Sequence, residues 1–154
     1  MPSHSALALN VPTWIMLLCL LATGATACNS PENPSSQGTQ TSIARDLEVV
    51  DFMQQMGAEN ALVLDVRSDG EWAEGHLEGA AYIPFQSDDF AELLGQLPHD
   101  RPVLVYCAAG GRSAKAMEIL NQSGHPEVYN LLGGIRAWQA DGHPVVNTPP
   151  VTIQ

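Results

Sequence analysis

The chain has 154 residues, a length that suits one domain, and its 17 acidic against 6 basic side chains give a formal charge of −11. All six basic residues lie at or beyond Arg45 and only one, Lys115, is a lysine. No basic face is available to displace counterions from phosphates, which excludes nucleic-acid binding.

In chain order, Val11 to Ala22 is nearly all apolar, small residues follow from Thr23 to Ala27, and Cys28 ends the run. About 12 apolar residues are too few to cross a hydrocarbon layer as a helix, which takes about 20. Length and small-residue boundary instead fit a secretory leader over residues 1–27. Ala25-Thr26-Ala27-Cys28 resembles a bacterial lipoprotein processing site, where cleavage precedes a cysteine whose sulfur receives a diacylglyceryl group. The resemblance implies an exported protein held at the periplasmic face of a membrane through Cys28, and Asn29, which is not the retention-associated Asp, points to the outer membrane. Two features depart from such sites: the first ten residues hold no Lys or Arg, and Ala25 stands where leucine is more common. The same tripeptide suits ordinary signal peptidase, which would release a soluble protein with a free Cys28, and an uncleaved segment is the third reading. Asn29 to Ser42 has no apolar side chain large enough to pack, so residues 28–42 read as a flexible tether reaching about 20 Å.

A folded part of about 100 residues, 43–146, can bury an ordinary core without disulfides or metals, and 147–154 reads as a C-terminal tail. Leu47, Val50, Phe52, Met53 and Met56 recur at near-helical spacing before Gly57, predicting a helix from Asp46 to Met56. Ala61 to Val66 is a short continuous apolar run, the mark of a strand covered on both faces. Ser68-Asp69-Gly70-Glu71 has the form of a capping box opening a short helix that Gly75 ends. Ala80 to Ile83 reads as a strand, and Ser87 as the cap of a helix from Asp88 to Leu97, stopped by Pro98. Val103 to Tyr106 is the next buried strand, Ser113 to Gln122 a helix, Val128 to Leu131 a strand, and Gly133-Gly134 opens a last helix through Ala140. Alternating strands and helices without hairpin turns imply an α/β fold: a single domain with a parallel central sheet flanked by helices on both faces. Reactive sites in such folds lie beyond the carboxyl ends of the strands, and Cys107 occupies that position.

Cys107 is followed by Ala108-Ala109-Gly110-Gly111-Arg112-Ser113. A glycine-rich turn into a helix aims backbone N–H groups inward, and the helix adds partial positive charge at its N-terminus. With Arg112 nearby, the thiol pKa is expected to fall so that thiolate is present near neutral pH. The plain alternative is a buried structural thiol. An exported protein with one cysteine beyond its lipid-attachment site has no partner for a structural disulfide, however, which favours a reactive role.

Three segments carry a family resemblance. Leu64-Asp65-Val66-Arg67 with Glu71-Trp72, Gly75-His76-Leu77-Glu78-Gly79-Ala80 and Ile83-Pro84 resembles the first half of a rhodanese domain. Val105-Tyr106-Cys107 with Gly110, Arg112 and Ser113 is similar to its active-site loop, and Leu131-Leu132-Gly133-Gly134-Ile135-x-Ala137-Trp138 followed by Gly142-x-Pro144-Val145 to its final segment. The resemblance implies a single-domain sulfurtransferase. In it the Cys107 thiolate takes the outer sulfur of a donor such as thiosulfate as a persulfide, and a thiol or cyanide acceptor removes it. Residues Ala108 to Ser113 would bind the persulfide, Arg112 would orient an anionic donor, and no metal or organic cofactor is needed. Asp65 and Arg67 are either an ion pair bracing this loop or purely structural. His76 is expected to hydrogen-bond backbone in its turn, with a proton-shuttle role as the lesser reading. Trp138 belongs to the core, and five scattered histidines show no metal-ligand spacing.

Two rival functions use the same loop. Cys-based tyrosine phosphatases place five residues between Cys and Arg, whereas four intervene here, Ala108 to Gly111, making a cradle smaller than a phosphoryl group wants. A non-enzymatic persulfide carrier or docking module keeps the fold without turnover, although the intact cysteine and glycines argue for chemistry. With Arg112 the loop's only charge in an acidic protein, thiosulfate is expected to bind weakly and a thiol or persulfide to be the physiological partner.

Overall fold

The computed structural model describes residues 42–153. The leader, the lipid-attachment cysteine Cys28 and almost all of the tether read from the sequence lie outside the described residues. Five strands, β1 (Ile43–Leu47), β2 (Leu62–Asp65), β3 (Ala81–Tyr82), β4 (Val103–Tyr106) and β5 (Glu127–Leu131), alternate with α1 (Val49–Met56), α2 (Asp69–Ala73), α3 (Phe90–Gly95) and α4 (Gly111–Gln122), and α5 (Gly134–Ala140) closes the order. The strands form one sheet in the order β1-β5-β4-β2-β3, and every pairing is parallel.

Side-chain alternation along the central strands divides the core in two. Leu62, Leu64, Val103, Val105 and Val128 pack with Phe90 and Leu94 of α3 and Ala116 and Leu120 of α4. Val63, Leu104, Tyr106, Tyr129 and Leu131 pack on the other side with Val49 and Phe52 of α1 and Ile135 and Trp138 of α5. Both faces of β2 and β4 are therefore covered, which is why these strands read as unbroken apolar runs.

β1 departs from the expectation, in which Asp46 and Leu47 begin α1. Its residues are exposed except Leu47, as befits an edge strand, so it carries no apolar run to announce it. Register comes from β5: Asn130 donates to Asp46 at 2.7 Å, and the Arg45 guanidinium stands 5.4 Å over the Tyr129 ring. α3 is shorter than expected, because Asp89 occupies the N-cap position and the Ser87 hydroxyl donates to the Asp89 carboxylate instead of capping the helix. Residues beyond Val146 stay against the domain. His76 and Val146 exchange backbone hydrogen bonds of 2.9 and 2.8 Å, Val151 N–H reaches the Ala80 carbonyl at 3.1 Å, and Ile153 packs on the core.

Candidate active site

Where β4 ends, Cys107 begins a tight turn into α4, with Gly110 at the N-cap position and φ +94. The turn is shaped from outside by α5. Ile135 N–H donates to the Cys107 carbonyl at 2.8 Å and Arg136 N–H to the Ala108 carbonyl at 3.2 Å. Because each trans peptide is planar, turning these two carbonyls towards α5 turns the N–H groups of Ala108 and Ala109 the opposite way. Gly134, with positive φ and no side chain to meet the loop backbone, lets the start of α5 approach this closely.

The Cys107 sulfur is buried, with the residue 2% exposed, and is a free thiol. It accepts hydrogen bonds from Gly110 N–H at 3.2 Å and from the Ser113 hydroxyl at 3.3 Å. The same hydroxyl lies 3.1 Å from the Gly110 carbonyl; its single proton serves one acceptor at a time, and a thiolate draws it more strongly than a thiol does. Burial alone would push the Cys107 pKa up. The Ser113 hydroxyl and the backbone N–H groups of Ser113, Ala109 and Arg112 together outweigh it and hold the thiol below its ordinary value.

Arg112 leaves the loop sideways. Its Nη1 and Nη2 donate to Glu71 at 2.8 and 2.6 Å, a bidentate pair that fixes the guanidinium on α2. The Arg112 hydrogen bonds, with lesser ones from Ser68, pull Glu71 down to about 2. Ser68 N–H and hydroxyl reach the same carboxylate at 3.0 and 2.7 Å. The Arg112 guanidinium thus faces a matched carboxylate while staying electrostatically coupled to the Cys107 sulfur, and the Arg112 backbone N–H serves the same sulfur at the start of α4.

Asp65 and Arg67 stand at the end of β2 as a buried ion pair at 2.6 Å, their side chains 0% and 4% exposed. Arg67 Nη2 also donates to the Gly75 carbonyl at 2.7 Å, tying the strand end to the turn after α2. The Arg67 guanidinium lies 5.7 Å over the ring of Tyr106, the residue before Cys107. His76 is buried and stacks on Trp72 with centroids 3.6 Å apart, an environment of a turn and not of the loop. Trp138 is a core residue whose indole N–H donates to the Pro144 carbonyl at 2.9 Å.

A cavity of about 180 Å³ opens beside the loop, lined by Ala108, Arg67, Glu71, Glu74, Arg136 and Gln139 among others. Two of these residues take a part that the sequence does not announce: Glu71 reads as a capping residue and as one position of the family resemblance, and Arg136 as an unspecified position in its final segment. Pairing between segments 41 residues apart, as for Arg112 and Glu71, has no local signature; Arg136 was detectable as one of six basic residues, two positions after Gly134.

The Rhodanese-like domain profile matches residues 48–141. The chain is 38% identical over 88 residues to a sulfurtransferase of Allochromatium vinosum, covering 57% of this chain and 80% of that one. It is 32% identical over 94 residues to the thiosulfate sulfurtransferase GlpE of Shewanella oneidensis, covering 61% and 91%. Among solved structures it resembles a rhodanese-related protein of Thermoplasma volcanium, with a TM-score of 0.60, 35% identity, and coverage of 68% of this chain and 99% of that one. Strand order, loop position and these matches agree: the chain belongs to the rhodanese-like family, as a single-domain form with sulfurtransferase relatives.

Proposed function

We propose that the protein is a sulfurtransferase that moves sulfane sulfur from a donor such as thiosulfate to a thiol or cyanide acceptor through a persulfide on Cys107. The observation that carries the reading is the anion cradle: Gly110 N–H at 3.2 Å and the Ser113 hydroxyl at 3.3 Å on one buried sulfur. In the first half-reaction the Cys107 thiolate attacks the outer sulfur of thiosulfate. The Cys107 Sγ–S bond forms, the S–S bond of thiosulfate breaks, and sulfite leaves with the electron pair. The product persulfide is an anion, so the converging N–H groups that lower the thiol pKa also stabilise the sulfur it receives. In the second half-reaction an acceptor thiolate takes the outer sulfur and the pair returns to Cys107 as thiolate. The charge count balances at each step without an oxidant, a metal or a cofactor.

Intact-mass measurement tests the reading. Incubation with thiosulfate is expected to add the mass of one sulfur, removable by cyanide, and Cys107→Ser to abolish the gain. A wild-type mass untouched by thiosulfate and by small persulfides rejects it. Steady turnover absent while the mass gain persists makes the protein a carrier instead.

The working place of the protein is part of the same proposal. Lipidation at Cys28 would put the domain on a tether at the periplasmic face of a membrane, as the Ala25-Thr26-Ala27-Cys28 sequence suggests. Full-length protein expressed in bacteria should then partition into the detergent phase and Cys28→Ser into the aqueous phase; equal partitioning of the two rejects the anchor.

A further inference from the structure

The charges around the cavity that Ala108, next in the chain to Cys107, helps to line divide into those already matched and those left over. Arg67 is held by Asp65 and Glu71 by Arg112. Glu74, at the C-terminal end of α2, and Arg136, in the first turn of α5, also line the cavity. Among the described residues neither takes part in a salt bridge. The wall therefore offers one unmatched carboxylate and one unmatched guanidinium, with no net charge between them. A dianion such as thiosulfate is attracted by Arg136 and repelled by Glu74. A small molecule carrying both an ammonium and a carboxylate satisfies both groups at once, and Arg136 has the planar fork that suits a carboxylate.

Resting on the sulfur-transfer reading above, we propose that the preferred small-molecule partner of Cys107 is an amino-acid-type thiol or its persulfide, of which cysteine is the simplest. Arg136 binds its carboxylate and Glu74 its ammonium, at the mouth formed with Ala108. The thiolate of the bound molecule attacks the outer sulfur of the Cys107 persulfide. The bond from that sulfur to Cys107 Sγ breaks, a bond to the acceptor sulfur forms, and Cys107 is restored as thiolate. Run backwards, the same step loads Cys107 from an amino-acid persulfide. Arg136 and Glu74 are specificity-determining residues, not catalytic ones.

The test is discharge of the Cys107 persulfide, preformed on the full domain with excess thiosulfate and followed by intact mass. Four acceptors are compared per unit of thiolate: cysteine, cysteamine (no carboxylate), mercaptopropionate (no ammonium) and mercaptoethanol (neither). Cysteine is expected to exceed cysteamine and mercaptopropionate each by roughly tenfold, the worth of one charge-assisted hydrogen bond. Arg136→Gln should bring the cysteine-to-cysteamine ratio to about one, and Glu74→Gln the cysteine-to-mercaptopropionate ratio to about one. Because each ratio is taken within one variant, a general loss of folding or loading cancels. Similar rates for all four thiols on wild-type protein, or ratios unmoved by either substitution, overturn the proposal and leave sulfur transfer standing. Failure of wild-type protein to form the persulfide overturns both.

Discussion

Gly134 lies so close to Cys107 that a Cβ built on it would stand 2.3 Å from the Cys107 carbonyl oxygen, and 2.6 and 2.7 Å from backbone atoms of Ala108 and Ala109. Backbone atoms cannot swing aside as a flexible side chain can, and φ at Gly134 is +62. Gly134→Ala must therefore either displace α5 or push the loop off its position. Expected is a loss of about 2–4 kcal/mol in urea unfolding, combining clash and left-handed strain, with persulfide loading slowed about a hundredfold by misplaced N–H groups. Gly142→Ala is the comparison, since φ there is +82 but nothing lies within 4 Å; it should cost about 1 kcal/mol and leave loading unchanged. Equal effects from the two substitutions would show that strain at φ, not contact with the loop, explains Gly134.

Ser113 sets how readily Cys107 ionises. Its hydroxyl and backbone N–H are the two largest influences lowering the thiol pKa against burial. Alkylation by iodoacetamide, which requires thiolate, is expected to rise with pH through a midpoint below the ordinary thiol value of 9.0 and then level. Ser113→Ala moves that midpoint upward, because burial keeps its effect while one donor is lost. Ser113→Thr, which keeps the hydroxyl, should restore it in part. A profile unchanged in Ser113→Ala would locate the stabilisation in the backbone alone.

The parts of this architecture legible in the sequence are those with local causes. β2 and β4 are buried on both faces and so announce themselves as apolar runs, and Cys107 with its glycines marks a strand-to-helix turn whatever surrounds it. β1 was not legible, because four of its five residues are exposed and its identity depends on β5, more than 80 residues away, pairing Ile43 with Glu127 and Leu47 with Leu131. The site shows the same division. The loop residues could be named from their order, whereas the partner of Arg112 and the carbonyl acceptors of Ile135 and Arg136 arise only when α2 and α5 converge on one strand end. The side-chain charge of Arg112 is legible beside the loop, whereas its pairing with Glu71 emerges only once α2 and α4 stand together.

The Asp65–Arg67 pair is buried at both ends, so removing one partner leaves a charge with no water to solvate it. Asp65→Ala is expected to cost about 3–5 kcal/mol, read from urea unfolding. The double variant Asp65→Ala with Arg67→Leu should cost clearly less than the sum of the two single losses, since it removes both charges together. Additive losses would mean that the guanidinium draws its support mainly from the Gly75 carbonyl, 2.7 Å away, and the Tyr106 ring.

Glu71 links acid stability to the pairing of the Arg112 guanidinium. Its pKa falls from the ordinary 4.5 to about 2 when folded, so it binds fewer protons in the folded than in the unfolded state across that window. The stabilisation it gives is complete above about pH 4.5 and fades as pH falls towards 2. Linkage taken at face value gives ~3 kcal/mol. With the Glu71 and Arg112 side chains 30% and 25% exposed, solvent screening reduces this to about 1 kcal/mol. Glu71→Gln should flatten that part of the slope between about pH 5 and pH 3, measured by urea midpoints. The same change removes the carboxylate facing Arg112 and leaves the guanidinium open to an anionic donor. Thiosulfate KM is therefore expected to fall by about threefold to tenfold, while the discharge of a formed persulfide by cyanide changes less. An unchanged or higher KM would mean that the Arg112 fork must be held on α2 to help the donor at all, and that positioning outweighs free charge at this site.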